Sequence, residues 1–227
     1  MHRQFKVSVV IPCYNEEHGV AKVIPSLPDF IDEIIVVDNN SSDRTAETAA
    51  GLGARVVSET RQGYGAAYKT GLKEATGDII VTMDGDATYP AHAISYLIEV
   101  LYLEELDFIS AARIPIHFAH SINMIQRYLG NIFLTTVLLL LFGIKLRDSQ
   151  SGMWVFRRHV LDKVSVESDG MPFSEEFKIR AYRHPEIRAR EVPVQFRYVA
   201  RIGHSKLNIW KDGWKNLQYL FHLRKTL

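Results

Sequence analysis

The chain has 227 residues, 47% of them hydrophobic and 23% charged, a balance that excludes a disordered, collagen-like or coiled-coil chain. Its 27 Lys and Arg residues nearly cancel its 26 Asp and Glu residues, so no overall positive field indicates a nucleic-acid partner. The single cysteine, Cys13, excludes an internal disulfide and a multi-cysteine metal site. No signal peptide is expected, because residues 1–6 lead into a short apolar run that is typical of a strand.

Short β-branched runs alternate with helical stretches through the first half of the chain. This alternation predicts βαβ units and an α/β fold with a mostly parallel sheet flanked by helices. The predicted strands are 7–11, 34–37, 55–58, 79–83 and 108–111, with a later one at 192–198; the predicted helices are 17–27, 43–52, 66–75 and 91–104. In such sheets ligands bind beyond the carboxyl ends of the strands, so we expect the site there.

Residues 128–144 form an uncharged apolar segment between Arg127 and Lys145. A buried core helix, a helix lying in the membrane interface and a membrane span are three interpretations of this segment. The interface helix is favoured, because the two flanking cations suit headgroup depth and because a span would separate the polar motifs on its two sides. These motifs could not then build one site.

The C-terminal segment carries an aromatic stripe and an excess of positive charge. Trp210, Trp214, Leu217 and Phe221 recur at helical spacing, which predicts an amphipathic helix docked on the core or anchored in the membrane interface. Residues 176–227 contain twelve Lys and Arg but four acidic residues. An anionic partner near this end is therefore expected.

Two aspartates follow the fourth predicted strand, in the run Met83-Asp84-Gly85-Asp86. Carboxylate oxygens suit Mg²⁺ or Mn²⁺, and Mg²⁺ commonly takes one or two carboxylates together with substrate phosphates. A turn with solvated acids would explain the pair equally well. A third interpretation is the aspartate-nucleophile loop of haloacid-dehalogenase-like phosphatases, but that family places the loop on its first strand.

The order of the strand-end motifs resembles that of another enzyme family. Residues 11–16 (Ile-Pro-Cys-Tyr-Asn-Glu), 36–43, 63–67 and 84–86 resemble the family-2 glycosyltransferases, which have the GT-A (Rossmann-like) fold. Residues 148–152 (Asp-Ser-Gln-Ser-Gly), Phe173 with Glu176, and residues 201–206 are similar to later motifs of the polyprenyl-phosphate, or dolichol-phosphate, hexosyltransferases in that family. The resemblance covers nearly the whole chain.

This resemblance implies a role for individual residues. A nucleoside-diphosphate sugar would be bound by Pro12, Tyr14, Asn15, Glu16, Asp38, Gly65, Asp84 and Gly85, and a divalent cation by Asp84 and Asp86. The acceptor phosphate would be bound by Arg113, Arg127, Gln150 and Ser205, and the catalytic residues would be Asp84, Asp86, Asp148, Arg201 and Lys206. Asn39 and Thr88 replace an Asp and a Gln found in some members, which leaves the base and the sugar open.

The resulting prediction is a single GT-A domain over residues 1–227. It divides into a nucleotide-sugar-binding half (1–113), an apolar interfacial segment (114–147), an acceptor-side half (148–206) and a C-terminal amphipathic helix (207–227). The expected activity is inverting, Mg²⁺- or Mn²⁺-dependent transfer of a hexose or N-acetylhexosamine from a GDP- or UDP-sugar to a polyprenyl or dolichyl phosphate. The expected location is peripheral, on the cytoplasmic face of a membrane.

Three alternatives to this activity remain at the sequence level. They are a family-2 glycosyltransferase with a non-lipid acceptor, an aspartate-nucleophile phosphatase that uses Asp84, and a non-catalytic nucleotide-sugar-binding protein on a membrane. The combination of Asp38, Asp84 and Asp86 argues against the last of these.

Overall fold

The computed structural model describes residues 5–117, 122–197 and 209–227, and it describes side chains for residues 5–113, 129–195 and 213–227. Seven strands are present in these ranges. They are β1 (Val7–Cys13), β2 (Glu33–Asp38), β3 (Arg55–Ser58), β4 (Ile79–Thr82), β5 (Phe108–His117), β6 (Trp154–Arg157) and β7 (Ala189–Arg197).

Eight helices accompany the strands in the same described ranges. They are α1 (Glu17–Ser26), α2 (Thr45–Gly51), α3 (Tyr64–Glu74), α4 (Ala93–Leu103), α5 (Ile122–Phe142), α6 (Val160–Lys163), α7 (Phe173–Arg183) and α8 (Ile209–Thr226).

All seven strands belong to one sheet, in the order β3-β2-β1-β4-β6-β5-β7. The pairs β1–β2, β1–β4, β2–β3 and β5–β7 are parallel, whereas β6 is antiparallel to both of its neighbours. The expected mostly parallel α/β sheet is therefore confirmed. Strands from the predicted nucleotide-sugar-binding half (1–113) and from the predicted acceptor-side half (148–206) share this sheet, and β5 continues past residue 113. The two predicted halves therefore form one continuous layer.

Both faces of the sheet are buried, which explains why its inner strands are continuous apolar runs rather than alternating ones. Val9 of β1 faces a core with α1 and α4, while the next residue, Val10, faces a second core with α3 and α7. Successive side chains of a strand point to opposite faces, so one strand supplies both cores. The second core includes a stack of aromatic rings around Trp154.

Helices α5 and α8 pack against each other and form a third apolar cluster with α7. Leu134 and Leu138 of α5 and Leu220 and Leu223 of α8 are buried in it. The exposed side of α5 is mostly apolar, whereas α8 exposes Trp214 and Phe221 among polar residues such as Lys215 and Gln218. We call the exposed hydrophobic side chains of the two helices the outer apolar face; they are Leu129, Ile132, Phe133, Leu139, Leu140, Trp214 and Phe221.

The apolar segment 128–144 thus has features of two of the three interpretations, the buried core helix and the interface helix. One side of α5 is core, as in the buried interpretation, and the other side presents large hydrophobic side chains to solvent, as an interface helix would. Among the helices in the described ranges, none is both long enough and apolar enough to cross a membrane.

The sequence did not predict β6, α6 or α7. Strand β6 is four residues long and antiparallel to both neighbours, so it lies outside the βαβ alternation that predicts the other strands, including the equally short β3. Helix α7 buries Glu175, Glu176 and Lys178 alongside its apolar residues. Buried charges on this helix hide the apolar stripe by which an amphipathic helix is recognised.

Candidate active site

The first two strand-end motifs meet at one edge of the sheet. Cys13 at the end of β1 is in register with Asp38 at the end of β2, and Met83 after β4 donates its backbone N–H to the Val10 carbonyl. Asp38 is half-buried and accepts a hydrogen bond from the Ser41 N–H at 3.3 Å. The predicted donor-side residues are thus brought together by the parallel pairing itself.

Side-chain hydrogen bonds join the loop after β1 to the loop after β2. Asn15 adopts a left-handed backbone conformation (φ 51°), and its side-chain oxygen accepts the Ser42 N–H at 2.7 Å. The Asn15 N–H donates to Ser41 Oγ at 2.9 Å, and the Glu16 N–H donates to Thr45 Oγ1 at 2.8 Å. Glu16 itself is buried, whereas Tyr14 is exposed at the rim. The two loops therefore form one rigid wall.

Asn39 has a structural role that an aspartate could not fill. Its amide nitrogen donates to the carbonyls of Glu59 and Arg61, both at 2.9 Å, while its oxygen accepts the Gly63 N–H at 2.8 Å. A carboxylate has no donor for the two carbonyls. Asn39, where some family members have Asp, thus fixes the loop of residues 59–63 by hydrogen bonds to its backbone.

Asp84 and Asp86 leave the end of β4 one residue apart, on a loop in which Ala87 has a left-handed conformation (φ 60°). Asp86 is buried, and its Oδ1 accepts hydrogen bonds from the N–H and Oγ1 of Thr88 at 3.1 and 2.6 Å. Asp84 is partly exposed and accepts a hydrogen bond from the Tyr64 hydroxyl at 3.2 Å. Thr88 and Tyr64 therefore fix the orientation of the two carboxylates.

Burial and the negative charge of Asp84 together raise the pKa of the Tyr64 phenol well above its ordinary value. The phenol therefore stays protonated and keeps donating its hydrogen to Asp84.

Gly65 and Gly85 lie at close approaches within the protein. A Cβ on Gly65 would meet the Ser168 carbonyl oxygen at 2.5 Å, and one on Gly85 would meet Cys13 Sγ at 2.6 Å. Both distances are too short for a real side chain, so packing by itself explains the requirement for glycine at each position.

The loop of residues 148–152, which we call the acceptor-side loop, reaches the carboxylates from the other half of the chain. A Cβ on Gly152 would lie 2.6 Å from the Tyr64 hydroxyl and 3.3 Å from Asp84 Oδ1. The Gly152 N–H donates to the Tyr89 hydroxyl at 2.7 Å. The Asp84 carboxylate and this loop are thus immediate neighbours.

Arg113 and Asp148 form a bidentate ion pair at the start of this loop. Arg113 Nε donates to Asp148 Oδ2 at 2.6 Å, and Nη2 donates to Oδ1 at 2.8 Å. Asp148 is 2% exposed, whereas the Arg113 side chain is 26% exposed. Burial alone would raise the pKa of Asp148, but the charge and hydrogen bonds of Arg113 outweigh burial and hold that pKa below its ordinary value. Asp148 is therefore an ionised anchor beneath a more exposed guanidinium.

The apolar helix α5 contacts this ion pair from its inner side. Asn131 Nδ2 donates to Asp148 Oδ1 at 3.0 Å, and Thr135 Oγ1 accepts the Ser149 N–H at 3.1 Å. The same helix carries most of the outer apolar face. One helix thus connects a solvent-exposed hydrophobic surface to the anchored arginine.

A cleft of about 530 Å³ lies beside Tyr64, between the N-terminal end of α3 and helix α8. Its other lining residues include Lys215, Tyr219 and His222 of α8 and residues 170–172. This volume falls within the usual range for small-molecule sites.

Several predicted site residues cannot be placed in this geometry. Arg201, Ser205 and Lys206 lie outside the described residues, and Arg127 lies in α5 within a stretch whose side chains are outside the described ones. Gln150 is described, and its side chain points to Glu175 and Asn216 within the protein.

Residues 8–165 match the model of a family described as glycosyl transferase family 2. The chain belongs to this family, and it is a glycosyltransferase. The match covers the strand-end motifs and the acceptor-side loop of the resemblance, whereas Phe173, Glu176 and residues 201–206 lie beyond the matched residues. That resemblance is therefore confirmed.

Two relatives from Haloferax volcanii match most of the chain. A dolichyl-phosphate hexose transferase is 32% identical over 91% of this chain and 89% of its own length. The low-salt glycan biosynthesis hexosyltransferase Agl6 is 30% identical over 94% of this chain and 52% of its own length. A dolichol-phosphate mannosyltransferase of Pyrococcus furiosus is 29% identical over 97% of this chain and 64% of its own length. The chain spans about half of Agl6.

Among solved structures, the fold matches glucosyl-3-phosphoglycerate synthase from Mycobacterium tuberculosis in complex with Mn²⁺, UDP and glucosyl-3-phosphoglycerate. The TM-score is 0.77 at 22% sequence identity, covering 97% of this chain and 80% of that one. The likeness confirms the predicted GT-A architecture.

Sequence reasoning missed three residues that organise the site. Tyr64 orients Asp84, Tyr89 receives the Gly152 N–H, and Asn131 holds Asp148. Tyr64 lies within the 63–67 motif, whose resemblance rests on its glycines, and Asn131 is one of the polar residues that interrupt the apolar segment. A polar residue on an otherwise apolar helix was the available signal for Asn131.

Proposed function

We propose that this glycosyltransferase moves a hexose or N-acetylhexosamine from a GDP- or UDP-sugar to a polyprenyl or dolichyl phosphate at a membrane surface. The observation that carries the lipid acceptor is the double role of α5. Its inner side anchors the Asp148–Arg113 pair, and its outer side belongs to the outer apolar face. An acceptor whose phosphate is attached to a long hydrocarbon tail needs a phosphate-binding group and a lipid-facing surface close together. Here the two lie on opposite sides of one helix.

The donor half of the proposal rests on the wall formed by residues 12–16 and Asp38. Pro12, Tyr14, Asn15, Glu16 and Asp38 line the strand ends next to Asp84. A half-buried carboxylate such as Asp38 can accept hydrogen bonds from a ribose or a base. Gly85 packs against Cys13 of this wall, whereas Gly65 packs against the Ser168 carbonyl and Phe173 on the side of α7.

Asp84 and Asp86 fit a divalent cation, because they offer hard carboxylate oxygens at the carboxyl end of a strand. Two protein carboxylates leave coordination positions for donor phosphates and water. When bound, Mg²⁺ or Mn²⁺ would supply positive charge to the departing diphosphate. Thr88 and Tyr64 hold the two carboxylates in position.

Arg113 would bind the acceptor phosphate through its planar guanidinium, and Asp148 would keep this guanidinium oriented. A phosphate monoester is already largely anionic at neutral pH, so it needs no protein base to become a nucleophile. The displacement would be a single inverting step, with no covalent enzyme intermediate. Arg127 and Ser205 are proposed as further phosphate contacts, and Arg201 and Lys206 as cations that face the diphosphate.

The outer apolar face would keep the cleft at headgroup height without crossing the bilayer. Lys145, Lys215, Arg224 and Lys225 are exposed on or beside α5 and α8. Such cations add attraction to anionic lipid of about 1 kcal/mol each. The proposed location is thus peripheral, on the cytoplasmic face.

The decisive test is product identification. The protein is incubated with Mn²⁺, a panel of GDP- and UDP-sugars, and either a polyprenyl phosphate or a water-soluble phosphate such as 3-phosphoglycerate. A glycosylated lipid phosphate detected by mass spectrometry is the expected product. Transfer to the soluble phosphate, with none to the lipid in mixed micelles, would contradict the lipid acceptor and leave a family-2 enzyme with a different substrate.

A further inference from the structure

Lys178 of α7 is an unusual residue for its position. Its side chain is 0% exposed, between the core residues Phe177 and Ile179, whereas lysine is almost never fully buried unless it is paired. The ammonium Nζ lies 5.8 Å from the centre of the Trp154 ring. An apolar residue at this position would avoid the cost of removing the charge from water.

The Lys178 ammonium donates its hydrogen bonds to the backbone of the acceptor-side loop. Lys178 Nζ donates to the Ser151 carbonyl oxygen at 2.9 Å and also to the Ser149 carbonyl oxygen. Two nearby carbonyls that point at the same position repel each other, because their negative ends are brought together. A cation between them removes this repulsion and stabilises a loop conformation that would otherwise be unfavourable.

Glu175, one turn earlier on α7, holds the same loop by its side chain. Its Oε1 accepts a hydrogen bond from Gln150 Nε2, while its Oε2 has no hydrogen-bond partner among the described residues. Asp148, Glu175 and Glu191 are the carboxyl groups that act on the buried ammonium, and Asp148 has the largest effect. Helix α7 thus holds the acceptor-side loop by hydrogen bonds to its backbone, from Lys178, and to its Gln150 side chain, through Glu175.

The two ends of the loop are where the site is assembled. At one end Asp148 holds Arg113, and at the other Gly152 lies against Asp84 and Tyr64. A small change in the carbonyls of Ser149 and Ser151 would therefore alter the distance between the arginine and the carboxylates.

We infer that Lys178 is a positioning residue for acceptor binding: its buried ammonium fixes the acceptor-side loop and, through Asp148, the direction of Arg113. Lys178 touches no reacting atom in this arrangement. The inference rests on the proposed function in one respect, since it takes the ligand of Arg113 to be the acceptor phosphate.

A charge-balanced double variant separates positioning from the cost of an unpaired buried charge. Lys178→Met with Glu175→Gln removes both titratable groups of the buried pair together, so neither is left without its partner, and leaves volumes similar. We expect it to fold, to raise KM for the polyprenyl phosphate about tenfold, and to leave KM for the donor sugar within about twofold. The matched control is Lys163→Met with Glu186→Gln, which removes a surface ion pair of 3.0 Å and should change neither constant.

A second double variant tests the hydrogen bonds themselves. Lys178→Gln with Glu175→Gln has the same charge, but its amide can donate to the loop carbonyls. It should recover part of the acceptor KM lost in the Met variant. If the Met variant does not fold, this Gln variant still tests whether Lys178 positions the acceptor-side loop.

Amide hydrogen exchange gives a readout that does not depend on the substrate. Exchange at residues 149–152 should be faster in the Met variant than in the wild type, while exchange in β6 stays unchanged. If the wild type glycosylates no lipid phosphate, the proposed function fails, yet this exchange pattern still supports the positioning role. Wild-type exchange together with a wild-type acceptor KM in both double variants would overturn the inference.

Discussion

Hydrogen bonds from neutral donors hold most of the donor side of this site together, whereas buried ion pairs hold the acceptor side. Around β1 and β2 amide and hydroxyl groups donate the hydrogen bonds, to amide oxygens as in Asn15 with Ser42 and Asn39 with Gly63, and to partly exposed carboxylates as in Asp38 with Ser41. Around the acceptor-side loop they are the Arg113–Asp148 pair and the buried ammonium of Lys178. A neutral hydrogen bond contributes about 1 kcal/mol, but removing one partner of a buried ion pair costs about 3–5 kcal/mol.

This difference determines how each side can be tested. Single substitutions on the donor side should change chemistry while the fold survives. On the acceptor side, a substitution that changes charge disturbs folding and function together, so informative variants there must conserve charge or remove it in pairs.

The largest expected effect lies on the donor side. Asp86→Ala should lower turnover about a thousandfold, because several kcal/mol of electrostatic stabilisation depend on this carboxylate, and the melting temperature should change little. A chelator should have a similar effect on the wild type. Asp29→Ala, at an exposed aspartate, is the control. Full activity in the presence of the chelator would exclude Asp84 and Asp86 as a metal site.

The next effect concerns the outer apolar face. Phe133 and Leu140 are 55% and 78% exposed, so Phe133→Asp with Leu140→Asp should leave the core intact. Burying two such side chains in lipid is worth about 3–6 kcal/mol, so binding to anionic vesicles should weaken about a hundredfold or more in co-sedimentation. Transfer to long-chain acceptors should fall with it.

Two controls show whether weaker vesicle binding of the Phe133→Asp, Leu140→Asp variant comes from the outer apolar face. Leu103→Asp changes an equally exposed leucine (76%) on α4, away from the outer apolar face, and should not affect vesicle binding. The double variant should still glycosylate a short, water-soluble prenyl phosphate. Unchanged vesicle binding with a normal melting curve would remove the outer apolar face from the proposal.

A smaller effect is expected at the arginine. Arg113→Lys keeps the charge that Asp148 needs but loses the planar bidentate contact, so KM for the acceptor should rise about tenfold while KM for the donor stays constant. Arg147→Lys, at an exposed arginine next to Asp148, serves as the control. Equal increases in both constants would place Arg113 outside the acceptor subsite.

The same contrast explains what could be predicted from the sequence. Asp38 ends one strand, Asp84 and Asp86 follow another, and parallel pairing alone brings strand ends together, so their proximity was predictable. Asp148 contacts Arg113 across 35 residues, and Asn216 of α8 contacts Gln150 across 66. No local pattern encodes such pairs. Lys178 was missed because a buried lysine looks like a surface lysine until the packing of α7 is known.

The last and smallest effect is a pH trend confined to the acceptor side. Burial raises the pKa of Glu175 to about 7 from an ordinary value of 4.5, although the Gln150 hydrogen bond and the Lys178 charge oppose this. Between pH 4.5 and pH 7 the folded chain therefore keeps a proton that the unfolded chain has released, so this residue makes stability fall as pH rises through that window. Glutamine does not titrate, so Glu175→Gln removes this trend.

We expect the melting temperature of Glu175→Gln, relative to the wild type, to increase from about pH 5 to about pH 7.5 and then to level off, since both states of the wild type are ionised above the folded pKa. Calorimetry at several pH values measures this difference. Glu186→Gln provides the comparison: the hydrogen bond and charge of Lys163 hold the pKa of Glu186 below its ordinary value, so no such gain should develop. Parallel pH profiles for Glu175→Gln and the wild type would mean that Lys178 keeps Glu175 ionised in the folded protein. The contrast between the two sides would then rest on a permanent buried ion pair rather than on a carboxyl group that takes up a proton near neutral pH.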